Sequence, residues 1–429
     1  MHKDFDISLD KISKIEGSAS LEIKIRKNQV KKVKLKVTEN KRFYTQAIRG
    51  KNCLAVHQIV SRICGTCSVA HLLCCIEAVE KALNIKPSEQ TMLLRKLALY
   101  GTMIRDHALH LYFFALPDIL GIDSILEIDD TKILEQAFRV KAAGNSLASL
   151  IGGRAIHPSY IQVGYFEKVP DNREEIKKVI NNLKSVRKDV LNLIEIFDKC
   201  TFDYTRQKIF VALVTKDYTF IEGEIKSSDG SIIKEEDYWD YLNRVIIPYS
   251  QATGFQFKGR EYMVGALARM NLNKDAIHKD TKKEVAKYLS RFPSNNVFHN
   301  NLAQAIEILH SIDHSIELLE TTEFKKEEKP EIKIKSSEGV GVLEAPRGTL
   351  YYMLSINDEG KINYGNIVIP TAQNQIIMEK DIKDIVSKMI NKSKHEIIHE
   401  IEKLIRAYDP CNELCKPFSK SEVGFGLIL

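Results

Sequence analysis

Two hydrophobic periods divide this chain. In the first forty residues Leu21, Ile23 and Ile25 alternate with polar residues, Lys27-Asn28-Gln29 interrupts, and Val33, Leu35 and Val37 resume the alternation. A period of two places one set of side chains on one face, which predicts a hairpin with a single buried side. From about Ser68 to Leu116 the apolar spacing lengthens to three and four, the period of a helix; Gly101 is the weak point before Pro117. Further long helices are predicted at about 131–150, 171–200, 298–320 and 380–407. Two β-rich insertions interrupt them. One carries the turn Ser227-Ser228-Asp229-Gly230-Ser231. The other runs from Gly339 to about Thr371, with Asn357-Asp358-Glu359-Gly360 between two apolar runs. Lys325 to Lys335 is a charged connector, and no repeat or low-complexity segment is visible. The expected fold is mainly α with small β elements (α+β). It has an N-terminal β region at about 5–40, a long-helix bundle core at about 68–320, a β insertion at about 339–371, and a C-terminal helix and motif at about 380–415.

Composition narrows the class. The hydrophobic share of 44% and charged share of 28% are those of an ordinary water-soluble protein. A formal charge of +6 over 429 residues is small, and the lysines are scattered, so nucleic acid is not an expected partner. The N-terminus has no apolar signal region, and the best membrane candidate, Leu109 to Ile122, is broken by His110, Pro117, Asp118 and Gly121. A cytoplasmic protein without a membrane span is expected. Eight cysteines are too few for a disulfide scaffold, and Cys53, Cys74, Cys75 and Cys200 read as small buried residues.

The other four cysteines form two pairs, Cys64-Gly65-Thr66-Cys67 and Cys411-Asn412-Glu413-Leu414-Cys415. Spacings of three and four put each pair on one face of a helical turn, and Pro410 suits the head of the second turn. Four thiolates select soft metals. For a single pair, zinc, redox and structural readings compete. These pairs, however, lie more than three hundred residues apart. A zinc staple closes over a few tens, so a site joining both ends of the chain favours chemistry and one continuous domain over 1–429. Read in isolation, other residues are bland: Glu16 beside Gly17 is a turn carboxylate, Arg347 between Pro346 and Gly348 a surface arginine, and His107 and His110 satisfied core histidines.

Five further motifs accompany the cysteines in order: Lys14-Ile15-Glu16-Gly17, Asp106-His107-Ala108-Leu109-His110-Leu111-Tyr112, Gly153-Arg154-Ala155-Ile156-His157-Pro158, Glu344-Ala345-Pro346-Arg347-Gly348 and Pro370-Thr371-Ala372-Gln373-Asn374. With them the chain resembles, over its whole length, the large subunit of nickel–iron hydrogenases. The nearest type is the cytoplasmic one of archaeal sulfhydrogenases and F420-reducing hydrogenases. The resemblance implies that Cys64 and Cys411 are terminal nickel ligands and that Cys67 and Cys415 bridge nickel to an iron carrying carbon monoxide and cyanide. It implies that Arg347 and Thr371 hydrogen-bond the cyanides beside Pro346 and Pro370, and that Asp106 and Asp409 frame the metal with the arginine. Glu16 would carry the proton, as a carboxyl raised in pKa by burial can. His71 would hydrogen-bond a ligand sulfur. The chain keeps no spare cysteines for an iron–sulfur cluster and no dinucleotide fingerprint. Electrons from dihydrogen are therefore expected to leave through an iron–sulfur small subunit, with a flavin subunit using NAD(P) or F420 beyond it.

The C-terminal motif departs from that family. The family has two residues between its last cysteines and a histidine or arginine three residues later; this chain has three, followed by Lys416-Pro417-Phe418-Ser419-Lys420. That histidine marks a maturation cut and ligates a separate magnesium-type cation together with an N-terminal glutamate. Here Gln46 or Thr45 stands in the glutamate's place. Both ligands have changed together, so loss of that cation site is expected. So is a chain uncut to Leu429, with Phe425 to Leu429 tucked against the body and a helical turn from Pro410 to Cys415 closing the metal site. The alternatives are a hydrogenase-like paralogue with an incomplete centre serving as a scaffold, or a structural zinc protein.

Overall fold

The computed structural model describes residues 4–37, 42–128 and 131–412. Cys415 and the C-terminal tail therefore lie outside the described residues. Strands β1 (Phe5–Leu9), β3 (Ala19–Arg26) and β4 (Gln29–Val37) form an antiparallel sheet, with the two-residue β2 (Glu16–Gly17) between β1 and β3 in sequence. The β3–β4 turn is Lys27-Asn28, at φ of 53° and 59°, the twist a two-residue hairpin requires. Alternate residues Ala19, Leu21, Ile23 and Ile25 face inward.

The long apolar pattern after Ser68 becomes two helices. Helix α1 (Ser68–Leu83) ends on Asn84 in the left-handed conformation, and α2 (Glu89–Ala108) begins after Ser88, whose hydroxyl accepts from the Thr91 N–H. Pro87 between them disfavours helix at the residue before it. From Leu109 to Ala115 the helix widens into a π-helical stretch that includes His110. Such widenings recur at functional sites because they re-aim side chains. Helix α3 (Thr131–Gly152) crosses α2 closely: a Cβ on Gly101 would lie 2.8 Å from the Ala148 nitrogen, and one on Gly144 2.7 Å from the Arg105 nitrogen. The weak point at Gly101 is thus a contact point that brings Arg105 inward. Helices α4 (Arg173–Asp198), α5 (Ala266–Asn273) and α6 (His299–Thr321) complete the bundle. A small sheet from β5 (Ile209–Val214), β6 (Glu224–Ser227), β7 (Ile232–Ile233) and β8 (Tyr262–Met263) flanks it in the order β8-β5-β6-β7.

The second β insertion is an antiparallel sheet of β9 (Ser337–Ala345), β10 (Gly348–Ile356) and β11 (Ile362–Val368) lying on α1. It stops short of the expected boundary, because Pro370 opens helix α7 (Pro370–Lys388). The helix expected at 380–407 is likewise two, α7 and α8 (Lys394–Ala407), the latter begun by a Ser393–Glu396 capping box. Over its described part, Pro410 to Asn412, the expected helical turn does not form. Cys411–Asn412 is an extended strand, β12, paired in parallel with β2. One cluster of buried side chains runs from Ile7 to Tyr408, so both ends of the described chain share a core. Among the described residues no helix is long and apolar enough to cross a membrane.

The core sets an acid limit on stability. His310 on α6 donates from Nε2 to the Tyr218 carbonyl at 2.9 Å and accepts the His278 N–H at Nδ1, also at 2.9 Å. A second ring proton would face a donor, and burial first of all pushes the His310 pKa down to about 3. Burial likewise pushes His57 and His314 down to about 4. The unfolded chain takes up these protons near pH ~6.5 and the native fold refuses them. Stability is therefore complete above pH ~6.5 and falls by about 1.4 kcal/mol per pH unit for each such histidine as acidity grows. Thermal midpoints should drop between pH 7 and 5. His310→Gln should be less stable at pH 7.5 but show a shallower acid slope. An unchanged slope would contradict this account.

Candidate metal centre

Cys64 and Cys67 sit where a short helical segment turns into α1. Cys64 is extended, and Cys67 precedes the first residue of α1. The Cys67 N–H points at the Cys64 sulfur at 3.4 Å, so the helix N-terminus faces the sulfurs, a setting that favours thiolates. Cys411 arrives from the other end of the chain on β12. It is held by pairing with β2, where it lies opposite Glu16, and by an N–H bond of 3.0 Å to the Thr371 hydroxyl. Pro370 and Thr371 are the first residues of α7, so the positive end of a second helix reaches the same place.

The sulfurs of Cys64 and Cys411 are 3.4 Å apart, and those of Cys64, Cys67 and Cys411 all lie within 4.8 Å of one another. Sulfurs sharing one tetrahedral metal at ~2.3 Å would stand about 3.8 Å apart. The three thiols therefore fit a common soft-metal centre. Without a cation the neighbouring thiols of Cys411 and Cys64, then burial, push the Cys67 pKa well up. All three are buried around a small cavity whose walls include His71, Arg347, Pro370 and Thr371. Cys53, Cys74 and Cys75 are buried elsewhere, and Cys74 donates to the Gly341 and Leu350 carbonyls.

Arg347 is the centre of the charge arrangement, and it is buried rather than on the surface. Its Nη1 meets Asp106 at 3.0 Å, its Nε donates to Asp409 at 3.2 Å, and its Nη2 lies 3.0 Å from Glu16 and 3.1 Å from Asp409. Neither neighbour of Nη2 lies in line with its N–H bonds, so that buried nitrogen keeps donor capacity for a further acceptor. Burial opposes the charge, yet Asp106, Asp409 and Glu16 hold the guanidinium well above its ordinary pKa. Asp409 is itself left-handed at φ 49°, a strained setting for a residue other than glycine. Burial would raise its pKa, but Arg347 and His110 hold it far below the usual carboxylate range.

Several supports were not legible as site residues. His110 bonds Asp409 at 3.1 Å through Nδ1 and Asn301 at 3.3 Å through Nε2, and Gln304 donates to Asp409 at 2.8 Å. The expectation of a satisfied core histidine describes its bonding, but the satisfying carboxylate belongs to the cluster. His107 bonds Glu307 at 2.9 Å. Arg269 pairs with Glu307 and Glu344 at 2.7 Å and donates to the carbonyls of Ala345, at 3.0 Å, and Pro346, at 2.8 Å, fixing the turn that presents Arg347. Burial works against ionisation of Glu307, but Arg269 draws its pKa down to about 2. Thr66 donates to Glu16 at 2.9 Å while its oxygen lies 3.3 Å from the Cys64 sulfur; a hydroxyl residue between two cysteines was the only sequence signal. His71 Nδ1 pairs with the Tyr352 hydroxyl at 2.8 Å, which fixes the ring at the cavity wall. Thr45 and Gln46 line a separate cavity of about 330 Å³ that shares Ile63 and Ile369 with the cysteine cavity.

The profile of the nickel-dependent hydrogenase family matches residues 42–151 and 152–415. Sulfhydrogenase 1 subunit alpha of Pyrococcus furiosus is 35% identical over 417 residues, covering 94% of this chain and 96% of the relative. The beta subunit of the NAD-reducing hydrogenase HoxS of Cupriavidus necator is 25% identical, with 94% and 93% covered. Among solved structures, an NAD+-reducing NiFe hydrogenase in its H2-reduced state superposes with a TM-score of 0.84 at 23% identity, over 96% of this chain and 99% of that one.

Proposed function

Because the chain belongs to the nickel-dependent hydrogenase family, we propose that the cavity among Cys64, Cys67 and Cys411 holds the nickel–iron centre, with Cys415 as the fourth sulfur ligand. The protein is the catalytic large subunit of a nickel–iron hydrogenase, an oxidoreductase acting on dihydrogen. The observation that carries the site assignment is the meeting of three buried thiols from opposite ends of the chain beside a buried arginine. When bound, the centre supplies the heterolytic splitting of dihydrogen and the storage of its electrons.

The chain's own residues do the rest. Cys64, Cys67 and Cys411 would hold the metals through their sulfurs, with Cys415 supplying the further ligand. Arg347 Nη2 and the Thr371 hydroxyl, both at the cavity wall, would donate to the cyanides of the bound centre. Asp106 and Asp409, the latter braced by His110 and Gln304, keep Arg347 charged and aimed. Pro346 and Pro370 shape the two turns that bring Arg347 and Thr371 to the cavity. Glu16 Oε2 would receive the proton through the Thr66 hydroxyl, which donates to it and lies 3.3 Å from the Cys64 sulfur. His71, held by Tyr352 at the cavity wall, would hydrogen-bond a ligand sulfur. The replacement of the glutamate by Gln46 or Thr45 fits loss of the second, magnesium-type cation.

The relatives are subunits of multi-subunit hydrogenases, and an iron–sulfur small subunit is the electron exit proposed here, in the cytoplasm. Its docking face would lie by the first cysteine loop. Phe43 is 65% exposed there, and the adjacent Tyr44 hydroxyl donates to the Arg62 carbonyl, two residues before Cys64. A flavin subunit serving NAD(P) or F420 would lie beyond it. Elemental analysis of the purified protein should find nickel with iron, and infrared spectra should show bound carbon monoxide and cyanide. Zinc alone, or no metal, would overturn the assignment. Intact mass of the loaded protein should show no cut after Cys415.

A further inference from the structure

The described chain buries five arginines, and four of them are paired directly. Arg95 meets Glu80, Arg269 meets Glu307 and Glu344, Arg347 meets three carboxylates, and Arg406 meets Asp118 at 2.6 Å. Arg105 is the exception. It is 3% exposed at the last turn of α2, and among the described residues no carboxylate oxygen lies within 4.0 Å of its guanidinium. Its fork donates instead to two carbonyls, that of Thr66 inside the first cysteine loop and that of Ala155 at 2.5 Å. Its neighbour Asp106 is turned away to Arg347.

A buried guanidinium without a counter-charge is costly unless something nearby supplies one. The two carbonyls take hydrogens of Nη1 and Nη2, Nε finds no partner among the described residues, and the charge itself is left unanswered. Burial first of all pulls the Arg105 pKa down, and the groups that oppose this are Asp106, Cys64, Cys67 and Glu16, all of the metal site. Three carboxylates already surround Arg347, so less of its charge is left for the sulfurs. The thiolate and cyanide ligands of a nickel–iron centre carry more negative charge than its two metal ions cancel, and among the described residues Arg105 is the buried cation that bonds the ligand loop itself.

We propose that Arg105 is a positioning residue that clamps the first cysteine loop by the Thr66 carbonyl and, through its fixed charge, raises the reduction potential of the metal centre on the Cys64–Cys67 side. This rests on the nickel–iron reading of the site. A positive charge beside the ligands draws electron density from the iron and favours the reduced centre.

The test uses the loaded complex, with metal content, infrared bands and spectroelectrochemical poise as readouts. Arg105→Gln loses the charge and keeps a neutral amide donor on a shorter side chain. Its carbonyl and cyanide bands should move to lower wavenumber, and its poise should shift toward the oxidised centre by at least about tenfold, ~30 mV for a two-electron couple. Arg105→Lys keeps the charge and loses the fork; its bands and poise should stay with the wild type. Fully loaded Gln protein with unmoved bands and poise would reduce Arg105 to a mechanical clamp and overturn the proposal. If the Gln variant does not load, the Lys variant decides alone: wild-type bands uphold the proposal, and displaced bands overturn it. Wild-type protein without nickel, iron or these bands would sink the metal reading instead.

Discussion

Replacing Glu16 with glutamine is expected to cut dihydrogen uptake and evolution by about a hundredfold to ten-thousandfold while nickel and iron stay bound. The side chain keeps its size and an oxygen for the Thr66 hydroxyl and the Arg347 guanidinium, 2.9 and 3.0 Å away in the native protein. Pairing of β2 with Cys411 uses backbone groups and is untouched. What the amide cannot do is take the proton that Thr66 hands on from the Cys64 sulfur. Thr66→Val should share in the loss and Thr66→Ser should not, since only the hydroxyl joins sulfur to carboxylate. Turnover near the wild-type rate in a fully loaded Glu16→Gln protein would remove Glu16 from the proton route. Loss of metal in that variant would show that its carboxylate holds the site together instead.

Local rules reached the elements whose causes are local. The β3–β4 hairpin was legible because Leu21, Ile23 and Ile25 declare a face and Lys27-Asn28 accepts the left-handed turn. The long helices were legible from their periods, but not their breaks. At 389–393 the apolar spacing hardly falters, and the Ser393 cap that restarts the chain is a three-residue signal inside a helical pattern. The strand at Cys411 was misread for a different reason. Spacing of four fits a helix face, but the free edge of β2, nearly four hundred residues earlier, takes up the Cys411 backbone. No local rule sees an edge that far away. The same limit governs Arg347, which reads alone as a surface turn residue. Carboxylates at positions 16, 106 and 409 gather round it, and only motif resemblance hinted that they meet. Arg105, Gln304 and Arg269 lay beyond even that resemblance. Their roles come from what the helix crossings bury, which a single sequence does not state.

The arginine those residues serve carries the largest structural risk. Arg347→Met should lower the thermal midpoint markedly and leave the protein without nickel and iron. Removing one partner of a buried ion pair costs about 3–5 kcal/mol, because the other charge stays buried and uncompensated. Here three carboxylates would be left, with His110 still bonded to Asp409. Arg347→Lys should fold better than the methionine variant, since it keeps the charge. It should still lose most activity, because one ammonium cannot span Asp106, Asp409 and Glu16 and also present a free N–H to the cavity. The double variant Arg347→Met with Asp106→Asn separates the two roles. It removes a stranded charge together with its partner, so it should recover part of the lost midpoint, measured by calorimetry, and none of the turnover. If the double variant is no more stable than Arg347→Met alone, the repulsion among the buried carboxylates is not what the arginine relieves. If it regains turnover, the arginine is not needed at the metal.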